Sequence, residues 1–526
     1  MQEAVAVPVK KDVGIWALFK QTYPIILTRT ITATLPPLIT TLVVSREGAS
    51  LLAKATLPLA GFDLIYYSVT ALYGAGISDI KLRIIIQDNP EVNPASREHA
   101  TVIEYLLAGT TINAVAIGVL GIPLYLGIVF GLQVNDVKLF LGLSLLDLWF
   151  QSIAMLVRQA MVGSGYTIWK FDGAHVSAAT TLLYCLPFFL ISEKLVPLFE
   201  LDGLIPGKGA GIFVKLSLDS LFLMLSGKVF RMPRKEKVWQ DIKLIIGNGW
   251  KVSAQNFIEM LVFFGGFSGY AYLRGDAAQA AVRIGLTWDA VANPFQGAWS
   301  RGMQRLMTYD MHMSEKTKIV LRSIFMTLAV GAVPMIIGEF FPQELTSAFT
   351  NSTAVLQESA VVMRTLFGGQ YFYGLTAITQ FALWLLFNDT GFALGASVAT
   401  AAVFFVVTLP LLLEDIASFD ITTMVFVGCM ATNAFAALAW YVRRVRNGGE
   451  ISPPAVSIIE DDGSEDAVDI LQGENLRSRG LFRCCCKPEI AKPETRLLVD
   501  STEYKDPQNT VTSDSSAYSY QQTTLN

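Results

Sequence analysis

"SREGASLLAKATLPLAGFDLIYYSVTALYGAG", residues 45–76, and "LRGDAAQAAVRIGLTWDAVANPFQGAWSRG", residues 273–302, follow one plan. Each stretch begins with an arginine and a glycine in a turn, continues through small residues, and becomes an apolar helix that carries one aspartate. The two aspartates, Asp63 and Asp289, are 226 positions apart. The breaks "GSG" and "NDTG" later in the chain repeat at nearly the same offset. A common offset for several features indicates an internal duplication.

The composition is that of a helical membrane protein. Of 526 residues, 52% are hydrophobic and 16% are charged, whereas soluble domains average about 25% charged residues. Apolar stretches of about 20 residues, the length that crosses a bilayer, recur along the chain. We predict an all-α integral membrane protein with twelve transmembrane helices, at residues 18–44, 55–78, 102–130, 139–162, 172–191, 210–230, 246–273, 281–304, 319–341, 359–387, 391–413 and 420–442.

The duplication predicts two halves of six helices each. Because six is even, both halves have the same orientation, as in transporters whose repeats are parallel and whose site lies between them. The predicted segments are a cytoplasmic N-terminus (1–17), an N-terminal lobe (18–230), a basic cytoplasmic linker (231–245), a C-terminal lobe (246–446) and a disordered cytoplasmic tail (447–526).

The distribution of positive charge predicts the topology. With the N-terminus inside, the inner segments hold about three times as many Lys and Arg as the outer ones, to which we assign Lys208 and Arg283. Both termini are therefore expected in the cytoplasm, with the chain in a cell or inner membrane, or in a host or organelle membrane if the tail is lipidated. No cleaved signal peptide is indicated. Neither metal-site spacing, nor a nucleic-acid motif, nor an enzyme-like His/Asp/Ser cluster is found.

Four stretches resemble the multidrug and toxic compound extrusion (MATE) family, within the MATE/oligosaccharide-lipid flippase superfamily. "PIILTRTITATLPPLITTLVVSREG" resembles the first helix of the family and its turn, and "AAVRIGLTWDAVANPFQGAWSRG" resembles the eighth helix. "FPQELTSAFTNSTAVLQESAVVMR" resembles the segment between helices nine and ten, and "NDTG" the turn after helix ten. The resemblance covers roughly residues 20–445 and is that of a divergent member.

The resemblance implies a fold and a function. The fold would be two six-helix lobes around a V-shaped cleft. The function would be alternating-access export of organic, often cationic or amphiphilic, small molecules, with inward H⁺ or Na⁺ movement as the driving force and no further cofactor. Expected partners are the substrate and membrane lipids.

Glu259 is the leading candidate for cation or proton coupling. It lies within the seventh predicted span, where the family often has a coupling glutamate, and carboxylates in hydrocarbon usually face a pathway. A static partner for a buried cation is the alternative. The family's pattern is otherwise incomplete, because Thr40 stands where the first span often has an aspartate. In span ten, where the family often has a carboxylate, this chain has Tyr371, Tyr373 and Gly374 instead.

Three aspartates are further candidates for the cleft or a gate. Asp63 and Asp289 are predicted near the outer ends of their helices, either lining the external mouth or simply stabilised by the helix N-terminus. Asp147 in span four has either a pathway role or an interhelical contact. Lys215 and Asp219, spaced i, i+4, are expected to neutralise each other.

Arg29 has three interpretations. It can snorkel to the inner interface, pair with Glu259 as a gate, or contact an anionic substrate. The repeat makes Asn256 its counterpart in span seven, so Gln255, Asn256 and Thr32 are added to the cleft candidates. Pro36 and Pro37 remove amide donors and should kink or unwind the first helix, as a hinge or as a static bend.

The last 80 residues lack hydrophobic periodicity and read as disordered. Within them Cys484, Cys485 and Cys486 stand in basic, partly apolar surroundings, which predicts S-palmitoylation. A protein partner that binds the tail is a further expectation. The alternatives to an exporter are a flippase for a lipid-linked or anionic amphiphile, which suits Arg29, and a transporter-fold protein that acts mainly through its tail.

Overall fold

The protein is built almost entirely of helices. The computed structural model describes residues 14–88, 102–131, 137–163, 167–168, 171–225, 235–307, 311–387, 389–413 and 419–447. The first helices are α1 (Ile15–Arg29), α2 (Leu35–Arg46), α3 (Ala49–Asp88), α4 (Val102–Leu126), α5 (Lys138–Gly163), α6 (Gly173–Phe199) and α7 (Leu204–Leu225). They are followed by α8 (Lys235–Met260), α9 (Phe267–Arg274), α10 (Asp276–Leu306), α11 (Met313–Phe340), α12 (Pro342–Ser347), α13 (Thr353–Phe387), α14 (Thr390–Leu413) and α15 (Phe419–Arg446).

Smaller elements join or continue these helices. π-helical segments at Thr30–Thr34, Gly127–Gly131 and Leu261–Gly266 continue α1, α4 and α8, and a 3-10 turn at Glu200–Gly203 joins α6 to α7. Between α5 and α6, strands β1 (Thr167–Ile168) and β2 (Phe171–Asp172) form an antiparallel pair. This small hairpin is a departure from the all-α prediction. The tail with Cys484, Cys485 and Cys486 lies outside the described residues, so its lipidation stays a prediction.

Each predicted span is helical where the structure describes it, apart from two terminal residues: Asp172, which belongs to β2, and Phe341, which follows the end of α11. Among the described residues, seven stretches are long and apolar enough, by length and composition, to cross a membrane: Ile15–Arg46, Leu106–Phe130, Lys138–Val157, His175–Leu225, Met313–Phe340, Gly391–Thr408 and Met424–Arg446. Several helices begin five or more residues earlier than predicted, among them α7 at Leu204, α8 at Lys235 and α10 at Asp276. Lys208 lies before the predicted span 210–230, and Arg283 lies within the predicted span 281–304 although it was counted with the outer cations. Both are buried inside helices, so their assignment to outer loops was wrong.

Four buried or half-buried polar residues lie on a group of helices that pack against one another. Helices α3, α8, α10 and α13 are not among the seven apolar stretches, and they carry Asp63, Glu259, Asp289 and Gln380. Helix α3 packs against α8 and α10, and α10 packs against α13. Polar side chains within a membrane protein are stabilised where helices contact each other rather than lipid. The less apolar helices thus form the packed interior around the candidate site.

The two Arg-Gly turns of the duplicated stretches have the same backbone form. Gly48 has φ 112° and Gly275 has φ 101°, a region that residues with a Cβ rarely adopt. Each glycine is followed at once by a long helix, α3 or α10. Each preceding arginine contacts a glutamate of another helix, Arg46 with Glu193 and Arg274 with Glu358 at 3.5 Å. The duplication seen in the sequence therefore has a structural counterpart at these turns.

Two close helix contacts are also related by the duplication. Helix α1 packs on α10, and α8 packs on α3, which are spans one and eight and spans seven and two. Glycines allow both approaches. A Cβ on Gly249 would come within 2.5 Å of the Leu72 carbonyl oxygen, and a Cβ on Gly302 would collide with Thr22. Small residues at such crossings let helix backbones approach closely in membranes.

Candidate functional site

Glu259 lies in the last turn of α8 and is held by polar side chains from three helices. Its side chain is 7% exposed. Ser397 Oγ of α14 donates a hydrogen bond to Glu259 Oε1 at 2.6 Å, and Gln255 Nε2, one turn earlier on α8, donates to the same oxygen at 3.1 Å. Gln255 Nε2 also donates to Gln380 Oε1 of α13. The buried carboxyl group therefore sits in a small network of neutral donors.

The charge of Glu259 is not matched by a protein cation in the part of the chain that the structure describes. None of the ion pairs formed by described residues includes Glu259. A buried carboxylate without a positive partner is costly, so such a group takes up a proton or another cation. This argues against the interpretation of Glu259 as a static ion-pair partner.

Gln380 and Ser397 are site residues that the sequence did not single out. Gln380 ends the stretch "QYFYGLTAITQ", which contains no carboxylate. Ser397 belongs to an apolar helix, and a lone serine there carries no signal. Tyr373, named as a candidate, lies half-buried in electrostatic range of Glu259, Arg29 and Asp289. The structure thus brings span ten to the site through amide and phenol groups.

Arg29 ends α1 and lies against α10. A Cβ on Gly297 would come within 2.8 Å of Arg29 Nη1, so the guanidinium group occupies the space that this glycine leaves open. The ion pairs of the described residues do not join Arg29 to Glu259 in this conformation. The gate and the substrate contact stay predictions, now for a side chain that lies against α10 and in electrostatic range of Tyr373.

The first helix is locally unwound just before Pro36 and Pro37, as the sequence predicted. Residues Thr30–Thr34 form a π-helix, and the prolines occupy the first turn of α2. A proline lacks the donor that an α-helical carbonyl one turn earlier would accept, and a π-segment redistributes these bonds. Whether this segment bends during transport stays a prediction.

The threonines of this helix have different roles. Thr28 and Thr40 donate to carbonyls of their own helix, at Pro24 (2.8 Å) and Pro36 (2.9 Å). Thr34 donates to the Ala290 carbonyl of α10 at 2.9 Å. Thr32 Oγ1 is buried and has no hydrogen-bond partner in the part of the chain that the structure describes. Only part of the hydroxyl set therefore compensates the backbone, and Thr34 joins two helices instead.

Asn256 also joins two helices. Its Nδ2 atom donates to the Tyr67 carbonyl of α3 at 2.9 Å, and Ser253 Oγ donates to the next carbonyl, Ser68, at 2.8 Å. These two bonds fasten α8 to α3, as Thr34 fastens the first helix to α10. Asn256 thus has a structural contact in this conformation, one turn before Glu259.

Asp147 forms an interhelical ion pair. Asp147 Oδ2 lies 3.8 Å from Lys208 Nζ of α7 and accepts a hydrogen bond from Gln151 Nε2 at 2.7 Å. The contact explains how Lys208 tolerates burial, because each charge offsets the desolvation of the other. It favours the polar-contact interpretation of Asp147.

The predicted pair of Lys215 and Asp219 is confirmed. Lys215 Nζ lies 2.9 Å from Asp219 Oδ2, and Thr180 Oγ1 donates to Asp219 Oδ1 at 2.6 Å. The two charged side chains, both on α7, neutralise each other, and α6 contributes the Thr180 hydroxyl. They leave no excess charge for a substrate.

Asp63 and Asp289 lie deeper in their helices than the sequence suggested. Helix α3 begins at Ala49 and α10 at Asp276, so each aspartate comes about four turns into its helix. The expectation that they sit near the helix ends was wrong, because both helices start directly at the Gly48 and Gly275 turns. Stabilisation by the helix N-terminus fades within the first turn and does not reach them.

The two aspartates differ in their partners. Asp63 Oδ2 lies 3.8 Å from Arg283 Nη1 of α10, with the Arg283 side chain 4% exposed. Asp289 is 6% exposed, and its Oδ1 atom has no hydrogen-bond partner among the described residues. Arg283 was not recognised as a site residue, because it stands at the start of the predicted span 281–304 and was counted with the outer cations.

The fold has known counterparts. No protein-family model and no curated protein sequence matches the chain. An outward-facing multidrug resistance MATE family transporter of the MOP superfamily has a TM-score of 0.59 at 12% identity, covering 84% of this chain and 97% of that one. Its inward-facing counterpart gives 0.57 at 13%, covering 80% and 96%. The Vibrio cholerae MATE transporter VcmN in the bent form gives 0.55 at 14%, covering 82% and 97%. The chain therefore has the fold of MATE transporters, a multi-pass helical membrane fold, which confirms the resemblance at the level of fold.

Proposed function

From this shared fold we propose that the protein is a divergent MATE transporter that exports organic cations or cationic amphiphiles. Its twelve helices form two parallel six-helix lobes around a central cleft, and both termini are cytoplasmic. Alternating access of the lobes is coupled to inward movement of H⁺ or Na⁺. The fold occurs in both outward-facing and inward-facing conformations of a multidrug resistance transporter, which supports this cycle.

The observation that carries the proposal is the state of Glu259. It is buried, accepts hydrogen bonds from the neutral side chains of Ser397 and Gln255, and has no protein cation among the described ion pairs. A carboxylate held ready in this way can bind a coupling cation in one state and release it in another. Ser397 and Gln380 position it from neighbouring helices.

The test is gradient-driven transport in proteoliposomes. Purified wild-type protein, Glu259→Gln and Glu236→Gln would be compared for ethidium movement under an imposed pH or Na⁺ gradient. Glu236 is the matched control, because it lies exposed in the first turn of the same helix. We expect wild type and Glu236→Gln to transport alike, and Glu259→Gln to lose more than about tenfold of the rate.

Two results would overturn the proposal. Equal rates for Glu259→Gln and wild type would remove the coupling role. Absence of ethidium movement under both gradients would remove the cation-exporter function and favour an anionic amphiphile, for which Arg29→Gln would be the next variant.

A further inference from the structure

The duplication places two equivalent aspartates in different electrostatic surroundings. Asp63 on α3 and Asp289 on α10 correspond at the repeat offset. Asp63 has a positive partner on the other duplicated helix, Arg283, at 3.8 Å. Asp289 forms none of the ion pairs found among the described residues, although it is the more buried of the two.

The missing partner follows from one sequence difference. Arg283 stands six residues before Asp289, and the residue six before Asp63 is Leu57. If the two halves are related by a two-fold axis, the mate of the Arg283–Asp63 pair is residue 57 facing Asp289. Leucine supplies no charge there. The symmetry of the ion pair is therefore broken at a single position.

The burial of the Asp289 carboxyl group costs free energy that the described contacts do not offset. A buried carboxyl oxygen without a hydrogen-bond partner loses its water and gains nothing in exchange. Tyr67 of α3 and Tyr373 of α13 are both in electrostatic range of Asp289. Aromatic rings attract cations at their faces. A buried carboxylate in electrostatic range of two tyrosines therefore suits an organic ammonium or phosphonium group.

We propose that Asp289 holds the positive charge of the transported organic cation, in place of the arginine that the repeat omits. This assignment rests on the proposed function and deepens it by separating two tasks. Glu259 binds the coupling ion, and Asp289 selects a substrate by its charge.

The first test is equilibrium binding, which needs no gradient. Tetraphenylphosphonium binding to the purified full-length protein in nanodiscs would be measured by calorimetry for wild type, Asp289→Asn and Asp276→Asn. Asp276 is the control, because it is exposed in the first turn of the same helix. We expect roughly tenfold or greater loss of affinity in Asp289→Asn and none in Asp276→Asn. Equal affinity in all three proteins, or no binding by wild type, would overturn the proposal.

The second test supplies the missing cation from within the chain. Leu57→Arg should pair with Asp289 and reduce tetraphenylphosphonium affinity as much as Asp289→Asn does. Leu57→Gln, polar but neutral, should leave the affinity within about twofold of wild type. Equal weakening by arginine and glutamine would indicate a steric effect and would overturn the proposal. A folded state is verified for each variant by its melting transition.

The two proposals can fail separately. Glu259→Gln should still bind tetraphenylphosphonium while losing transport, and Asp289→Asn should lose binding. If binding depends on Asp289 but no variant transports, the exporter function fails and the site stands. If Asp289→Asn changes proton uptake on acidification without changing tetraphenylphosphonium affinity, Asp289 is a proton site and the proposal is overturned.

Discussion

The first and seventh spans occupy equivalent places in the duplication. A π-helical segment interrupts each of them, but the two spans carry different polar residues. The first span, formed by α1 and α2, is interrupted by the π-helix at Thr30–Thr34, just before two prolines. The seventh span, formed by α8 and α9, is interrupted by the π-helix at Leu261–Gly266, which begins two residues after Glu259. Both interruptions lie midway along a span, a place where π-segments often mark function. The first span keeps hydroxyls and an arginine, and the seventh keeps the carboxylate. A π-helical interruption is thus common to both spans, whereas the buried carboxylate is found only in the seventh.

The largest effect is expected from removing the cause of the interruption in the first span. The double substitution Pro36→Ala and Pro37→Ala restores two backbone N–H donors. A proline in the interior of a helix disfavours regular helix by about 3 kcal/mol, so the variant should favour a regular α-helix here. If the segment acts as a hinge, straightening it should slow ethidium transport roughly tenfold while tetraphenylphosphonium binding persists. Transport rate and binding affinity in the same preparation check this. An unchanged rate would leave a static bend.

The second effect concerns how closely the seventh span approaches its neighbour. Gly249→Ala places a methyl group within 2.5 Å of the Leu72 carbonyl oxygen of α3, and such overpacking costs about 1–3 kcal/mol. Gly247→Ala is the matched control, because a Cβ there meets nothing within 4 Å. We expect a lower melting temperature for Gly249→Ala and no decrease for Gly247→Ala, measured by thermal unfolding in detergent. Equal melting temperatures would show that α8 and α3 are less tightly packed.

The smallest effect distinguishes two threonines of the first span. Thr34→Val removes the hydrogen bond to the Ala290 carbonyl, and interhelical bonds of this kind average about 0.6 kcal/mol in membranes. Thr32→Val removes a buried hydroxyl that has no partner, so it should be neutral or slightly stabilising. Unfolding in graded denaturant would compare the two. A larger loss for Thr32→Val would contradict the assignment of partners.

The helical spans and the fold were accessible from the sequence, because membrane helices must satisfy their backbone internally and need a fixed apolar length. The duplication was accessible because the Gly48 and Gly275 turns require glycine, which leaves a mark in the sequence. Glu259 was accessible because a carboxylate in an apolar helix is rare.

The partners of these residues were not accessible in the same way. Lys208 and Arg283 lie near apolar boundaries, and hydropathy assigns such cations to loops although an ion pair lets them enter the helix. Gln380 and Ser397 are neutral residues on helices that pass close to Glu259 only in three dimensions. Nor could the sequence assign separate environments to Asp63 and Asp289, since the difference depends on a contact between helices.

The pairing of Asp63 with Arg283 has a consequence for how the chain is made. The two residues are separated by about 220 positions, which a ribosome adding 5–20 residues per second covers in roughly 10–45 s. During that interval α3 carries its aspartate in the membrane before the compensating arginine has been synthesised. Asp147 and Lys208 are much closer in the chain, so that pair can form early. Assembly of the second half therefore supplies a positive partner that the Asp63 carboxylate of the first half lacks until then.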